Sequence, residues 1–169
     1  WKPLAAACAD VGITFFTTPM SRDAARKVAP LDPPFWKVGS GDVCDFVLLD
    51  ALVAIGKPLI LSTGMSIIEE LDGAVDFLRR RRASFALLHC VSRYPCPPQN
   101  LRLGTIAFLR ERYGVPVGFS DHSLGTAEAV AAVALGARII EKHCSFDRGA
   151  WGSDHKVSLM PTEFRSLVA

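Results

Sequence analysis

Short apolar, β-rich runs alternate with helical stretches along the whole chain. The runs fall at 13–17, 35–38, 58–61, 86–91, 115–119 and 138–141. Between them the pattern predicts helices over 24–29, 45–55, 67–80, 103–112 and 126–135, with a further helix from near Thr162 through 163–168. Ser66, with Glu69 three residues on, has capping-box spacing and is the expected start of the 67–80 helix. Gly136 marks the end of the 126–135 helix. The opening residues faintly imitate a signal peptide. Asp10 and Gly12 interrupt it and no Met begins it, so a helix leading into the first strand is the better reading. The chain is expected to start within a longer protein.

Strands that read as continuous apolar runs are covered by helices on both sides and pair in parallel. Strict strand–helix alternation fits either a doubly wound sheet or a closed barrel. The polar residues decide between them. Nearly every run ends in a cluster of small polar or reactive side chains, from Thr17-Thr18 to Glu141-Lys142-His143. A doubly wound sheet concentrates chemistry at one switch point, whereas a barrel gathers it from the C-terminal ends of many strands. The expected fold is therefore α/β, a partial (β/α)8 TIM barrel with about six of the eight βα units. It occupies residues 1–169 as one domain, with the first two strands absent.

Composition narrows the function. Of 169 residues, 50% are apolar and 21% charged, the balance of an ordinary soluble domain. A net charge of +2 suggests no nucleic-acid partner. The one basic run, Arg79 to Arg82, sits at a helix end, where cations complement the dipole. The longest apolar stretches are strand-sized, so no membrane span is expected. Five cysteines without a C-x-x-C pair indicate reduced thiols and a cytoplasmic protein rather than a disulfide framework or zinc site. The glycine turns match no dinucleotide or Walker pattern.

Strand alternation places Ser120 with His122 on one face, and Glu141 with His143 on one face. Consecutive barrel strands lie about 4.8 Å apart, so two histidines at matched height can share a divalent metal with positions left for water or substrate. The alternative is a pair of strand-end histidines satisfied by hydrogen bonds. Thr18, Lys37, Ser40, Ser62, Ser92 and Ser120 also end strands, and one cation among hydroxyls and glycines suits a phosphate. They serve equally well as ordinary turn residues. Lys37 can instead be read as a Schiff-base lysine. Glu141 faces inward if His143 does, which makes it the best acid–base candidate. Asp121, between two inward residues, is expected to support the structure from the other face. His89, out of phase with Ser92, reads as structural. Tyr94, before Pro95, either contacts ligand or covers the site.

Six motifs in order, W-K-V-G-S-G-D (36–42), L-S-T-G-M (61–65), L-H-C-V-S-R-Y-P-C-P-P (88–98), V-G-F-S-D-H-S-L-G (117–125), A-A-V-A-L-G-A-R-I-I-E-K-H (131–143) and G-S-D-H-K-V-S-L (152–159), resemble the sialic acid synthase family. The resemblance covers essentially the whole chain. It implies condensation of phosphoenolpyruvate with N-acetylmannosamine or a related N-acetylated hexosamine, giving a nine-carbon 2-keto acid and phosphate with Mn²⁺ or Mg²⁺. By motif, His122 and His143 resemble the metal ligands. Thr18, Lys37, Ser40, Ser62, Ser92 and Ser120 resemble the phosphoenolpyruvate shell. Asp42 and Glu141 resemble the acidic pair at the reacting carbons, and Tyr94 and Asp154 the sugar contacts.

Two positions depart from the pattern. Ser92 stands where members often carry Asn, and Asp42 occupies a Glu-or-Asp position. D-H-K-V-S-L favours the sialic or legionaminic branch over the pseudaminic one. The resemblance also implies a homodimer in full-length form and a C-terminal antifreeze-like domain absent from this chain, so the fragment alone is expected to be inactive. The rivals are a Schiff-base barrel aldolase using Lys37 or Lys142 and a catalytically inactive fragment.

Overall fold

The computed structural model describes residues 1–169. Its elements run α1 (Lys2–Asp10), α2 (Arg22–Val28), β1 (Trp36–Val38), α3 (Phe46–Ala54), β2 (Leu59–Ser62), α4 (Ile68–Arg80), β3 (Phe85–Cys90), α5 (Thr105–Tyr113), β4 (Val117–Asp121), α6 (Ala127–Ala134), β5 (Ile140–Lys142) and α7 (Pro161–Val168). The strands form one sheet in the order β1-β2-β3-β4-β5. Sequence order and spatial order coincide, as successive βα units require. No helix is long and apolar enough to cross a membrane.

Five strands form where six were expected. Segment 13–17 contributes a single parallel bridge, Thr17 to Trp36. Ile13 and Phe16 are exposed there. A strand needs a partner along its length, and apolar composition alone does not supply one.

The chain divides into two compact units. One comprises Trp1–Leu61 with Ser66–Ala86, and the other Ser62–Met65 with Leu87–Ala169. In the first unit, β1 and β2 pair in parallel with Trp36 opposite Leu59 and Val38 opposite Leu61. Helix α2 is capped by Ser21, whose hydroxyl accepts from the Ala24 amide at 3.1 Å. Helix α3 is capped by Asp45, which accepts from Leu48 at 2.9 Å. Helix α4 buries Leu71, Ala74, Val75 and Leu78, the apolar stripe of a 3.6-residue period. Its start corrects the sequence reading by one residue. The cap is Ile67, whose amide donates to Glu70 at 3.0 Å, rather than Ser66 with Glu69. Arg79 and Arg80 occupy the last turn, and Arg81 lies against Asp50 and over the Phe77 ring.

In the second unit β4 is the central strand, buried at every position. Leu87 to Cys90 of β3 lie opposite Val117 to Ser120, and Phe119, Ser120 and Asp121 lie opposite Ile140, Glu141 and Lys142 of β5. Gly118 permits this close approach. A Cβ there would stand 2.3 Å from the Ile139 carbonyl oxygen. Helix α5 ends on Gly114 in the left-handed region, φ 61. Beyond β5 a bridge from Cys144 to Leu159 closes a loop ahead of α7. None of the five cysteines is in a disulfide; Cys90 and Cys96 are buried, and Cys44 and Cys144 are exposed.

Candidate active site

The register of β4 against β5 builds the site in the second unit. Ser120 lies directly opposite Glu141, and its hydroxyl donates to the Glu141 carboxylate at 2.7 Å. Two residues further along each strand, the rings of His122 and His143 stand 5.3 Å apart. With Lys142 these four line a cavity of about 80 Å³. Tyr94, on the loop after β3, lies 4.0 Å from the His122 ring and meets the His143 ring edge-on at 5.9 Å.

The two imidazoles differ electrically. Burial depresses the His122 pKa, but contacts to the Cys90 thiol and Val91 carbonyl, with the Cys90 and Glu141 charges, outweigh it and leave the pKa above its ordinary value. Burial and the neighbouring His122 hold His143 below its ordinary value, against the opposing pull of Asp154 and Glu141. The Tyr94 hydroxyl is pushed up by burial and by nearby negative charge at Cys90, Asp154 and Glu141.

His122 and His143 are the two side chains here that could donate to a divalent metal. His122 Nδ1 lies 3.0 Å from the Val91 carbonyl. A proton assigned to that nitrogen leaves Nε2 as the lone-pair donor, with a backbone carbonyl fixing the ring. No group of three His, Cys, Asp or Glu side chains converges closely enough to enclose an ion. A metal held here would take its other ligands from water or substrate.

The remaining candidates divide between the units. Ser62 is buried in the second unit, and Gly64 lets the β3 end close over it. A Cβ on Gly64 would lie 2.6 Å from Ser92 Oγ and 2.8 Å from Cys90 Sγ. Asp154 is exposed and accepts from the Ser153 hydroxyl at 2.9 Å. Thr18, Lys37, Ser40 and Asp42 belong to the first unit. Lys37 is 5% exposed and its ammonium donates to the Val38 carbonyl at 3.0 Å. Ser40 and Asp42 bound a 3₁₀ turn, and Thr18 and Asp42 flank Gly39.

His89 lies off the site. Its Nε2 donates to the Leu101 carbonyl at 2.6 Å and its ring stacks on Phe119. Cys90, 3.9 Å from His122 Nδ1, is a neighbour that the sequence reading passed over. The L-H-C-V-S alternation, which puts Cys90 in phase with Ser92, was the available signal. Asp121 supports the structure from the reverse face, where it pairs with Lys142 at 2.7 Å.

Hydroxyl, carboxylate and imidazole groups delivered from the C-terminal ends of successive parallel strands define an α/β-barrel domain with a polar cavity at those ends. The NeuB family model matches residues 1–169, and the chain belongs to that family. It is 39% identical to N-acetylneuraminate-9-phosphate synthase of Drosophila melanogaster over 98% of this chain and 45% of that protein. It is 35% identical to N,N'-diacetyllegionaminic acid synthase of Campylobacter jejuni over 92% of this chain and 47% of that protein. The chain thus spans about half the length of these relatives. The crystal structure of N-acetylneuraminic acid synthetase from Leptospira borgpetersenii, in complex with citrate, matches with a TM-score of 0.93 and 35% identity, covering 99% of this chain and 60% of that one. The fold is a partial (β/α)8 barrel.

Proposed function

We propose that the chain supplies the reaction site of a synthase that condenses phosphoenolpyruvate with N-acetylmannosamine or a related N-acetylated hexosamine. The products are a nine-carbon 2-keto acid and phosphate. One observation carries this reading. The β4–β5 register sets the Ser120–Glu141 hydrogen bond beside the His122–His143 pair, in a chain whose relatives are named for sialic-type acid synthesis.

In this reading C3 of phosphoenolpyruvate attacks the aldehyde carbon of the open-chain sugar and forms the new C–C bond. Water adds to the cationic C2 that results, and C–O cleavage at C2 releases phosphate. Lys37 supplies the cation for the phosphate group, with Thr18, Ser40, Ser62, Ser92 and Ser120 as hydroxyl partners. Glu141, oriented by Ser120, and Asp42 are the two carboxylates available to the developing charge at C2 and to the attacking water. Tyr94 and Asp154 contact the sugar. His122 and His143 would hold Mn²⁺ or Mg²⁺, which would supply Lewis-acid polarisation of the aldehyde. The full-length protein is read as a cytoplasmic homodimer working on small molecules. The D-H-K-V-S-L segment supports a sialic or legionaminic rather than a pseudaminic product.

The test is phosphate release by the full-length protein from phosphoenolpyruvate and N-acetylmannosamine, with and without chelator. Metal-dependent release is expected. Substituting a residue that merely orients a metal ligand costs about 10–100-fold, so His143→Ala should cost about 100-fold or more and weaken Mn²⁺ binding. His89→Ala should leave Mn²⁺ affinity nearly unchanged. Borohydride trapping with pyruvate should give no adduct, and an adduct on Lys37 or Lys142 would overturn the reading in favour of an aldolase. The Lys142 ammonium is already held by Asp121 and the Ser123 carbonyl, which disfavours it as an amine nucleophile.

A further inference from the structure

The reverse faces of β4 and β5 carry a second pair of residues. Asp121 lies between Ser120 and His122, and Lys142 between Glu141 and His143. They are register partners. Both side chains are 0% exposed, and Lys142 Nζ donates to Asp121 Oδ2 at 2.7 Å. The same ammonium donates to the Ser123 carbonyl at 2.6 Å and lies 3.5 Å from Ser123 Oγ. The other Asp121 oxygen accepts from the Ser123 amide at 2.8 Å. The surroundings are apolar: Lys142 shares the wall of a cavity of about 270 Å³ with Ala129, Val133, Ile140 and Phe164.

A fully buried ion pair is a poor source of stability, because desolvation of both charges offsets their attraction and an apolar replacement is often as stable. What it can supply is specificity of alignment. Strand β5 has only three residues and pairs with β4 alone. A slip of one residue would turn every side chain to the opposite face. Glu141 and His143 would then turn away from the cavity they line, and the Lys142 side chain would turn from Asp121 toward it.

We propose that Asp121 and Lys142 are a positioning pair that fixes the register of β5 on β4 and so sets Glu141 and His143 level with Ser120 and His122. The proposal rests on the reading of those four as site residues, and it predicts a separation between stability and alignment. The charge-neutral double variant Asp121→Asn/Lys142→Met removes the unpaired buried charge that either single variant would leave.

The experiment uses the full-length protein with Mn²⁺ as probe. It measures denaturant midpoint, amide exchange of residues 138–142 and Mn²⁺ dissociation constant for the parent, the double variant and Lys142→Arg. The double variant should regain a midpoint near that of the parent while its β5 amides exchange at least tenfold faster and Mn²⁺ binds at least tenfold more weakly. Lys142→Arg, which keeps the charge, should stay folded and fall between the two. A double variant with parental exchange and parental Mn²⁺ affinity would reduce the pair to a replaceable structural contact and overturn the proposal. If the parent binds no Mn²⁺, the metal part of the proposed function fails, and β5 exchange alone then judges the pair. Should the double variant not fold, Lys142→Arg decides: parental exchange at 138–142 refutes the proposal.

Discussion

Lys37 and His89 show how one side chain's surroundings decide its use. Lys37 is almost wholly buried and spends one hydrogen bond on its neighbour's carbonyl. A lysine that grips phosphate works through its charge, so Lys37→Arg should retain part of the phosphoenolpyruvate affinity while Lys37→Met loses it. Steady-state KM for phosphoenolpyruvate in the full-length protein reads this. Equal failure of both variants with parental binding would remove Lys37 from the phosphate site. His89 works differently. Burial holds its pKa below the ordinary value, partly opposed by the Leu101 carbonyl. The unfolded chain takes up this proton from about pH 6.5 downward, and the folded chain only at lower pH. Its contribution to stability is therefore fully present above about pH 6.5 and is lost as pH falls toward the folded value. His89→Gln keeps a donor for Leu101 and removes the titration, so its denaturant midpoint should decline less than the parent's between about pH 6.5 and 5. The out-of-phase position of His89 was legible from strand alternation. The inequality of His122 and His143 was not, because it arises from the Cys90 and Val91 contacts of one ring.

At the scale of elements, β4 was the most legible, since an unbroken apolar run ending in Ser120-x-His122 reads as a buried strand with a functional end. The pairing of Asp121 with Lys142 was not, because it requires the register, and register belongs to two strands at once. Segment 13–17 failed for a related reason: its composition is strand-like, but strand pairing reaches it only at Thr17. The α4 cap shifted from Ser66 to Ile67 because Glu70, rather than Glu69, turns back to the free amide. Gly118 offers a direct test of strand packing. An alanine methyl there would meet the Ile139 carbonyl oxygen at 2.3 Å and Leu88 Cδ2 at 2.7 Å. Backbone cannot yield as a flexible side chain does, so Gly118→Ala should cost about 3 kcal/mol or more, the upper end for overpacking. Urea unfolding measures this, and a loss below about 0.5 kcal/mol, within the range of a neutral surface change, would show that the β4–β5 approach is looser than described.

For the whole molecule, the division of candidates between two units has a direct consequence. Ser120, His122, Glu141 and His143 share one unit, while Lys37 and Asp42 belong to the other. In the proposed assignment the imidazoles and the phosphate cation Lys37 lie in different units, so substitutions at His122 and at Lys37 should act on different ligands. Calorimetry on the full-length protein should show Mn²⁺ affinity reduced by His122→Ala and unchanged by Lys37→Met, with phosphoenolpyruvate affinity following the opposite order. Loss of Mn²⁺ binding in Lys37→Met would contradict that separation. The thiols extend the same geography to chemistry in solution. Cys90 and Cys96 are sheltered, and the exposed Cys44 thiol is pushed up by partial desolvation and by the Glu70 charge, which lowers its thiolate fraction. Cys144 is exposed one residue beyond His143. With Cys8 and Cys44 replaced by serine, a maleimide fluorophore can be attached there, next to the imidazole proposed as a metal donor. Paramagnetic Mn²⁺ arriving beside that dye would quench its emission, turning an ordinary cysteine into an optical gauge of site occupancy.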